Sequence, residues 1–264
     1  MIRSLGYRTD LMLLQLEGST VERRDGYHVI RTPENPTFWW GNYVLLDEAP
    51  AAGAFDQALE TFGAEHPTAA HVAIGVDSTD GALPDEDAIK AAGFTVERMT
   101  VITARSVHAP PRPNREATYR RLVSDDDWEQ ALDLQMANNT SFEPVSHRAF
   151  SALRLAAARR LAESGAGGWF GAFVDGTMRS GMGLFTDGSG VARFQAVDTH
   201  PEFRGRGLAG TLVEHVTRVG FDELGAETLV MCADPDYLAI RVYRSVGFAG
   251  GETQLMIERK PPEA

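Results

Sequence analysis

A chain of 264 residues with 37 Asp and Glu against 25 Lys and Arg, for a formal charge of −12, lacks the basic surplus expected of nucleic-acid or anionic-membrane binders. Its composition, 43% hydrophobic and 23% charged, suits globular folding with real cores, most naturally in two domains at this length. A single cysteine, Cys232, excludes an intrachain disulfide framework and fits a reducing cytoplasm. Leu11-Met12-Leu13-Leu14 is far shorter than the ~18 residues of a membrane span, and no small-residue cleavage site follows it, so neither an anchor nor a signal peptide is expected.

In chain order, residues 38–46 and 71–76 read as strands, with a helix over 55–62 between them. Phe38-Trp39-Trp40-Gly41-Asn42-Tyr43 is the densest aromatic cluster, readable as packed core or as the wall of a ligand site. Ala88-Ile89-Lys90-Ala91-Ala92-Gly93-Phe94 parallels Ala239-Ile240 through Gly247-Phe248 near the other end. Either an internal duplication or a chance likeness of helix-Gly-Phe endings would produce that echo. His108-Ala109-Pro110-Pro111-Arg112-Pro113-Asn114 then packs three prolines into four residues, which neither a helix nor a central strand tolerates. The expected division is a first domain over 1–107, an extended linker over 108–117 and a second domain over 118–260.

The second part opens with a strand over 118–123. Ser124 reads as an N-cap ahead of Asp125, Asp126 and Asp127, where negative charge suits the start of a helix dipole. That helix runs through Trp128, Leu132, Leu134 and Met136 and ends near Asn138-Asn139-Thr140; a second helix covers 150–162. Strands over 168–174, 178–185 and 191–199 are joined by Asp175-Gly176 and Asp187-Gly188, both hairpin signals because glycine accepts positive φ. Leu208, Leu212, Val213, Val216 and Val219 recur at helical spacing, and a short strand over 228–232 follows. A helix over 238–246 closed by Gly247 and a last strand over 255–257 complete the order β-α-α-β-β-β-α-β-α-β. The fold class is α/β: a mixed, mostly antiparallel sheet flanked by helices, with a second, smaller α/β domain in front of it.

Between the third meander strand and the next helix lies Thr199-His200-Pro201-Glu202-Phe203-Arg204-Gly205-Arg206-Gly207-Leu208-Ala209-Gly210. A strand feeding a glycine-rich turn feeding a helix gathers free backbone N–H groups at the positive end of the helix dipole, a ready site for an anion. No Gly-Lys-Ser/Thr ending and no Gly-x-Gly-x-x-Gly spacing is present, which disfavours a P-loop or a dinucleotide fold. A surface turn with scattered arginines is the bland alternative. The histidines show no metal spacing: His66 and His71 flank a proline, a poor chelate, so no metal is expected.

Arg204-x-x-Gly207-x-Ala209, preceded by Val197-x-Thr199-x-Pro201, resembles the acetyl-CoA pyrophosphate signature of the GCN5-related N-acetyltransferase (GNAT) family, Gln/Arg-x-x-Gly-x-Gly/Ala. Asp236-x-x-Ala239-Ile240-x-x-Tyr243-x-x-x-Gly247-Phe248 resembles the family's second signature, in the family's order and on the expected elements. The first part resembles a degenerate copy, with no Arg-x-x-Gly-x-Gly after residue 46. The resemblance implies a tandem arrangement and acetyl-CoA as the bound group. It implies main-chain contacts from Val197, Asp198 and Thr199 to the pantetheine arm, and amides of Gly205, Arg206, Gly207, Leu208, Ala209 and Gly210 around the diphosphate beside Arg204. It also places Asp236 against the same molecule, where asparagine is commoner, and Tyr243 as general acid.

Acyl transfer to an amine requires a neutral amine, stabilisation of negative charge on the carbonyl oxygen and a proton for the departing thiolate. A phenol with a reference pKa of about 10 is protonated at neutral pH and suited to the last role, although Tyr243 would also pack on a sheet from an amphipathic helix. No base is named by the pattern; Met231 stands where some relatives carry a glutamate, and Asp198, Glu143 and His147 are candidates. The acceptor is expected over residues 138–147, with Asn138, Glu143 and His147 as substrate contacts and the two latter hinting at a cation. The expected function is therefore a cytoplasmic N-acetyltransferase acting on a small-molecule or peptide amine. The alternative is a non-catalytic acyl-CoA-binding or sensing protein.

Overall fold

The computed structural model describes residues 1–261, which form two compact units. The first holds Met1–Val101, Cys232–Pro235 and the chain from residue 251; the second holds Ile102–Met231 and Asp236–Gly250.

The first unit begins with α1 (Leu5–Leu16), capped by the Ser4 hydroxyl, which accepts from the Tyr7 N–H. Next come β1 (Thr20–Arg24), β2 (Tyr27–Arg31), β3 (Tyr43–Leu46), α2 (Phe55–Glu65), β4 (Val72–Val76), α3 (Glu86–Ala91) and β5 (Thr95–Ala104). β1, β2 and β3 form an antiparallel meander, and β3 pairs parallel with β4, Val44 facing Ile74 and Leu46 facing Val76. Residues 38–46 are not one strand. Trp39–Gly41 is a 3-10 turn, because the Asn42 amide ties itself to Asn35 O and Phe38 O and accepts from the Thr32 N–H, closing a loop where a strand would continue. The aromatic cluster is core packing: Trp39 and Trp40 lie against buried Tyr7, Leu11 and Tyr43.

In the second unit β6 (Thr118–Arg121) is followed by α4 (Asp125–Ala137), α5 (Pro144–Glu163), β7 (Gly167–Val174), β8 (Thr177–Thr186), β9 (Val191–Thr199), α6 (Leu208–Asp222), β10 (Thr228–Ala233, its last two residues counted in the first unit) and α7 (Ala239–Ser245); β11 (Ala249–Arg259) follows α7 in the chain and from residue 251 belongs to the first unit. The sheet order is β10-β9-β8-β7-β6, antiparallel from β6 to β9 and parallel between β9 and β10. Ser124 and Asp127 build a full capping box on α4. Asp175 (φ 50) and Gly176 (φ 77) make the β7–β8 turn, two successive positive φ values as a right-twisted hairpin prefers. α5 starts at Pro144, ahead of the expected residue 150: proline holds a helical φ at the first position, and the Glu143 carboxylate accepts from Val145 N and Ser146 N at 2.9 and 2.7 Å. Leu208, Leu212, Val213 and Val216 of α6 are fully buried, each contributing roughly 1.5–3 kcal/mol of hydrophobic stabilisation.

The same order occurs twice along the chain, from α1 to β5 and again from α5 to β11: helix, three-stranded meander, helix, parallel strand, short helix, long strand. α3 and α7 hold matching places, and Gly93 and Gly247 end them at φ 86 and φ 118. The helix-Gly-Phe echo is thus a repeat of the fold.

Candidate active site

The site grows from the end of β9. Its parallel pairing with β10 covers Val191, Ala192 and Arg193, opposite Thr228, Leu229 and Val230, while β9 itself continues to Thr199. Past that point a β-bulge intervenes: Gly183 faces Gln195 but Gly181 faces Asp198, leaving Ala196 and Val197 against Met182 alone. Ala196 adopts φ 43, strained for a residue with a side chain, and the bulge turns this stretch of backbone out of the β8 ladder.

The chain then passes a 3-10 turn at Pro201–Phe203, Gly205 at φ 75 and Gly207 at φ 80 before α6 begins. Gly207 is the N-cap and offers no side chain. The first N–H to find a helical acceptor is that of Thr211, on Gly207 O at 3.1 Å, so the amides of Leu208, Ala209 and Gly210 precede the ladder and remain open to a ligand. At Gly205 a side chain would meet nothing within 4 Å, the open space a bulky anion needs.

These elements border one cavity of about 590 Å³. Val197, Asp198 and Thr199 line it from β9; Arg204, Gly205, Gly207, Leu208, Ala209 and Gly210 from the glycine-rich turn. Tyr243 enters from α7 and Asn138 from the end of α4. Arg206, Asp236, Glu143 and His147 are not among the lining residues. The Arg206 guanidinium stacks 4.5 Å from the Phe203 ring centroid, Glu143 caps α5, and His147 stacks on Phe142 at 5.4 Å.

Two ionisable groups are perturbed. Burial lifts the Asp198 carboxyl to about 6, against the opposing pull of the Arg204 guanidinium. Burial pushes the Tyr243 phenol well above its ordinary value, and the negative charge of Asp198 adds to that. Tyr243 is 5% exposed. Arg204 donates through Nε to Thr199 O at 3.2 Å and through Nη2 to Asn138 Oδ1 at 2.5 Å, so it braces the end of β9 against α4.

The linker was not anticipated as part of the site. Pro110, Pro111 and Arg112 line the cavity, as do Tyr237 and Leu238 before α7. Asn114 pins this proline strap: its N–H donates to Thr211 Oγ1 at 2.9 Å and its Nδ2 to Arg206 O at 3.0 Å. A Cβ on Gly207 would fall 2.2 Å from Arg112 O, a fixed main-chain atom. Gly207→Ala should therefore cost the second unit about 2–4 kcal/mol in denaturant unfolding, against about 1–2 for Gly205→Ala, which meets only the positive-φ penalty. Equal losses would refute the close approach of the strap.

In the first unit the corresponding connection, from β3 to α2, holds a carboxylate instead. Gly53 (φ 75) donates its N–H to Asp85 Oδ2 at 2.6 Å. Negative charge at that turn repels a phosphate.

Among the described residues no group of three or more His, Cys, Asp or Glu is arranged to hold a metal, and no helix is long and apolar enough to cross a membrane. No curated protein matches the chain in sequence. Among solved structures, a conserved protein of unknown function from Staphylococcus epidermidis is similar at 14% identity and a TM-score of 0.73, over 92% of this chain and 95% of that one. A GCN5-related N-acetyltransferase from Kribbella flavida is similar at 16% identity and 0.66, over 99% and 97%. A tandem GNAT protein from the clavulanic acid biosynthesis pathway is similar at 13% identity and 0.55, over 98% and 95%. At such identities the likeness speaks to fold. The sequence model of the Acetyltransferase (GNAT) family matches residues 128–248. Residues 128–248 accordingly form a domain of the Acetyltransferase (GNAT) family, and the first half of the chain is GNAT-like in structure.

Proposed function

We propose that the second unit transfers an acetyl group from acetyl-CoA to a primary amine of a small molecule or peptide, by direct attack. The observation that carries this reading is the single cavity bordered by the open amides of α6, the bulged edge of β9, Asp198 and Tyr243. The donor set suits such a molecule: unladdered amides and a side-chain-free Gly205 suit a diphosphate, and a wall of Val197, Leu208 and Val242 suits an uncharged arm. Acetyl-CoA bound there would supply an activated thioester carbonyl.

The protein's own groups then have distinct tasks. In this reading an N–H of the bulged stretch around Val197 stabilises charge on the carbonyl oxygen. Asp198, at about 6, is ionised at neutral pH yet basic enough to take the amine's proton. That help matters most for a lysine-like amine, neutral in only about four in ten thousand molecules at pH 7, against about one in seven for an α-amine. Tyr243 is fully protonated and donates toward the leaving sulfur.

The two groups work as a pair. The charge of Asp198 is one cause of the raised Tyr243 pKa, so protonating Asp198 removes it and makes the phenol a readier acid as the thiolate departs. Asn138, held by Arg204, lines the same cavity and in this reading contacts the acceptor. The lone cysteine supports a reducing, cytoplasmic setting.

The test is free-thiol release from acetyl-CoA across a panel of small amines and peptides, beside calorimetry with coenzyme A. Binding with turnover on at least one amine is expected. Binding with no turnover on any would replace the enzyme with an acyl-CoA sensor, and no binding would end both readings.

A further inference from the structure

The glycine-rich turn suggests that its own two arginines neutralise the bound anion, yet their side chains are committed elsewhere. Arg204 is held on Thr199 O and Asn138 Oδ1, and Arg206 lies over the Phe203 ring outside the cavity lining. One more arginine reaches the cavity from a different part of the chain. Arg112 lines it, its guanidinium has no hydrogen-bond or ion-pair partner among the described residues, and its own carbonyl is packed on Gly207 at the start of α6.

The strap carrying Arg112 is well fixed. Pro110, Pro111 and Pro113 restrict its backbone before any ligand arrives. Asn114 locks its far end to Thr211 and Arg206, and its Oδ1 accepts from Glu116 N and Ala117 N, both at 3.0 Å. Little ordering entropy is therefore left to lose on binding.

We infer that Arg112, delivered by the proline strap, is the cationic partner of the coenzyme A diphosphate at the α6 amides; this rests on the acyl-CoA reading above. A guanidinium suits the role because its planar fork matches a phosphate edge with two parallel N–H donors. The diphosphate is thus held between two pieces of chain, helix amides on one side and the strap on the other.

Calorimetry on the full chain with coenzyme A, 3′-dephospho-coenzyme A and pantetheine tests this. Arg112→Ala should weaken coenzyme A by about tenfold, the size of one charge-assisted contact, and dephospho-coenzyme A equally, while pantetheine, which has no phosphate, is unchanged. Arg112→Lys should recover part of the loss. An unchanged melting temperature of the ligand-free variant shows that folding is intact, as expected for an exposed side chain. Coenzyme A bound by Arg112→Ala as tightly as by wild type would overturn the inference, and so would a loss confined to coenzyme A, which would assign Arg112 to the 3′-phosphate. Failure of the acyl-CoA reading is a separate result: wild type itself would then bind none of the three.

Discussion

Replacing Tyr243 with phenylalanine is expected to lower kcat by about 10²–10³-fold while leaving the Kd for coenzyme A within about twofold, as befits loss of one positioned general acid. The ring is 5% exposed on α7 and lines the cavity, so phenylalanine keeps the packing and removes only the hydroxyl. That hydroxyl has no hydrogen-bond partner among the described residues, so no protein hydrogen bond is lost with it. The pH profile supplies an independent check. An acid works only while protonated, and burial with the Asp198 charge drives this phenol above its ordinary value. The wild-type rate should therefore show no alkaline fall from Tyr243 below pH ~10. Should Tyr243→Phe turn over at the wild-type rate, Tyr243 is packing alone and the thiolate leaves unassisted or through water.

The residues around this tyrosine also show what a single sequence discloses. Regular elements with strong patterns were legible: α6 from its apolar stripe, the β7–β8 hairpin from Asp175-Gly176, and α4 from the Ser124 cap and the three aspartates after it. Two kinds of element were not. β1 (Thr-Val-Glu-Arg-Arg) is half-exposed and charged, so its period-2 signal is nearly lost, and only its pairing with β2 makes it a strand. The turn at Trp39–Gly41 depends on the Asn42 side chain reaching Asn35 and Phe38, a choice that β-propensity in the aromatics conceals.

The site divides the same way. Its contiguous part, from Val197 to Gly210, was readable because strand, turn and helix follow one another in the chain. Arg112 was not, since three prolines look alike in a free linker and in a strap, and only Asn114 bonding to Thr211 distinguishes them. Glu143 and His147 drew notice by charge, but Pro144 made the first a cap and the ring of Phe142 engaged the second. Neither interaction leaves a periodic trace.

Asp198→Asn carries the other large expectation, because it should change rate and stability in opposite directions. The folded carboxyl titrates near 6, raised chiefly by burial, whereas in the unfolded chain its value is about 3.9. For an acid with a raised folded pKa the native state holds the proton more tightly, so the penalty is absent below pH ~4, grows between the two values and is complete above pH ~6. Two units set a ceiling of about 3 kcal/mol at neutral pH, and partial access to water reduces it to about 1–2. Asparagine carries no charge at either pH. Its unfolding midpoint should exceed wild type at pH 7 and match it near pH 4. The rate should move the other way, kcat/KM falling about 10²-fold with loss of the acidic limb near pH 6, while the limb set by the amine itself persists. Protein groups that are costly to fold and that border a cavity are candidates for work done there. Were Asp198→Asn stabilised at pH 7 but fully active, the carboxylate would be a burden without a task, and the amine would have to lose its proton to water.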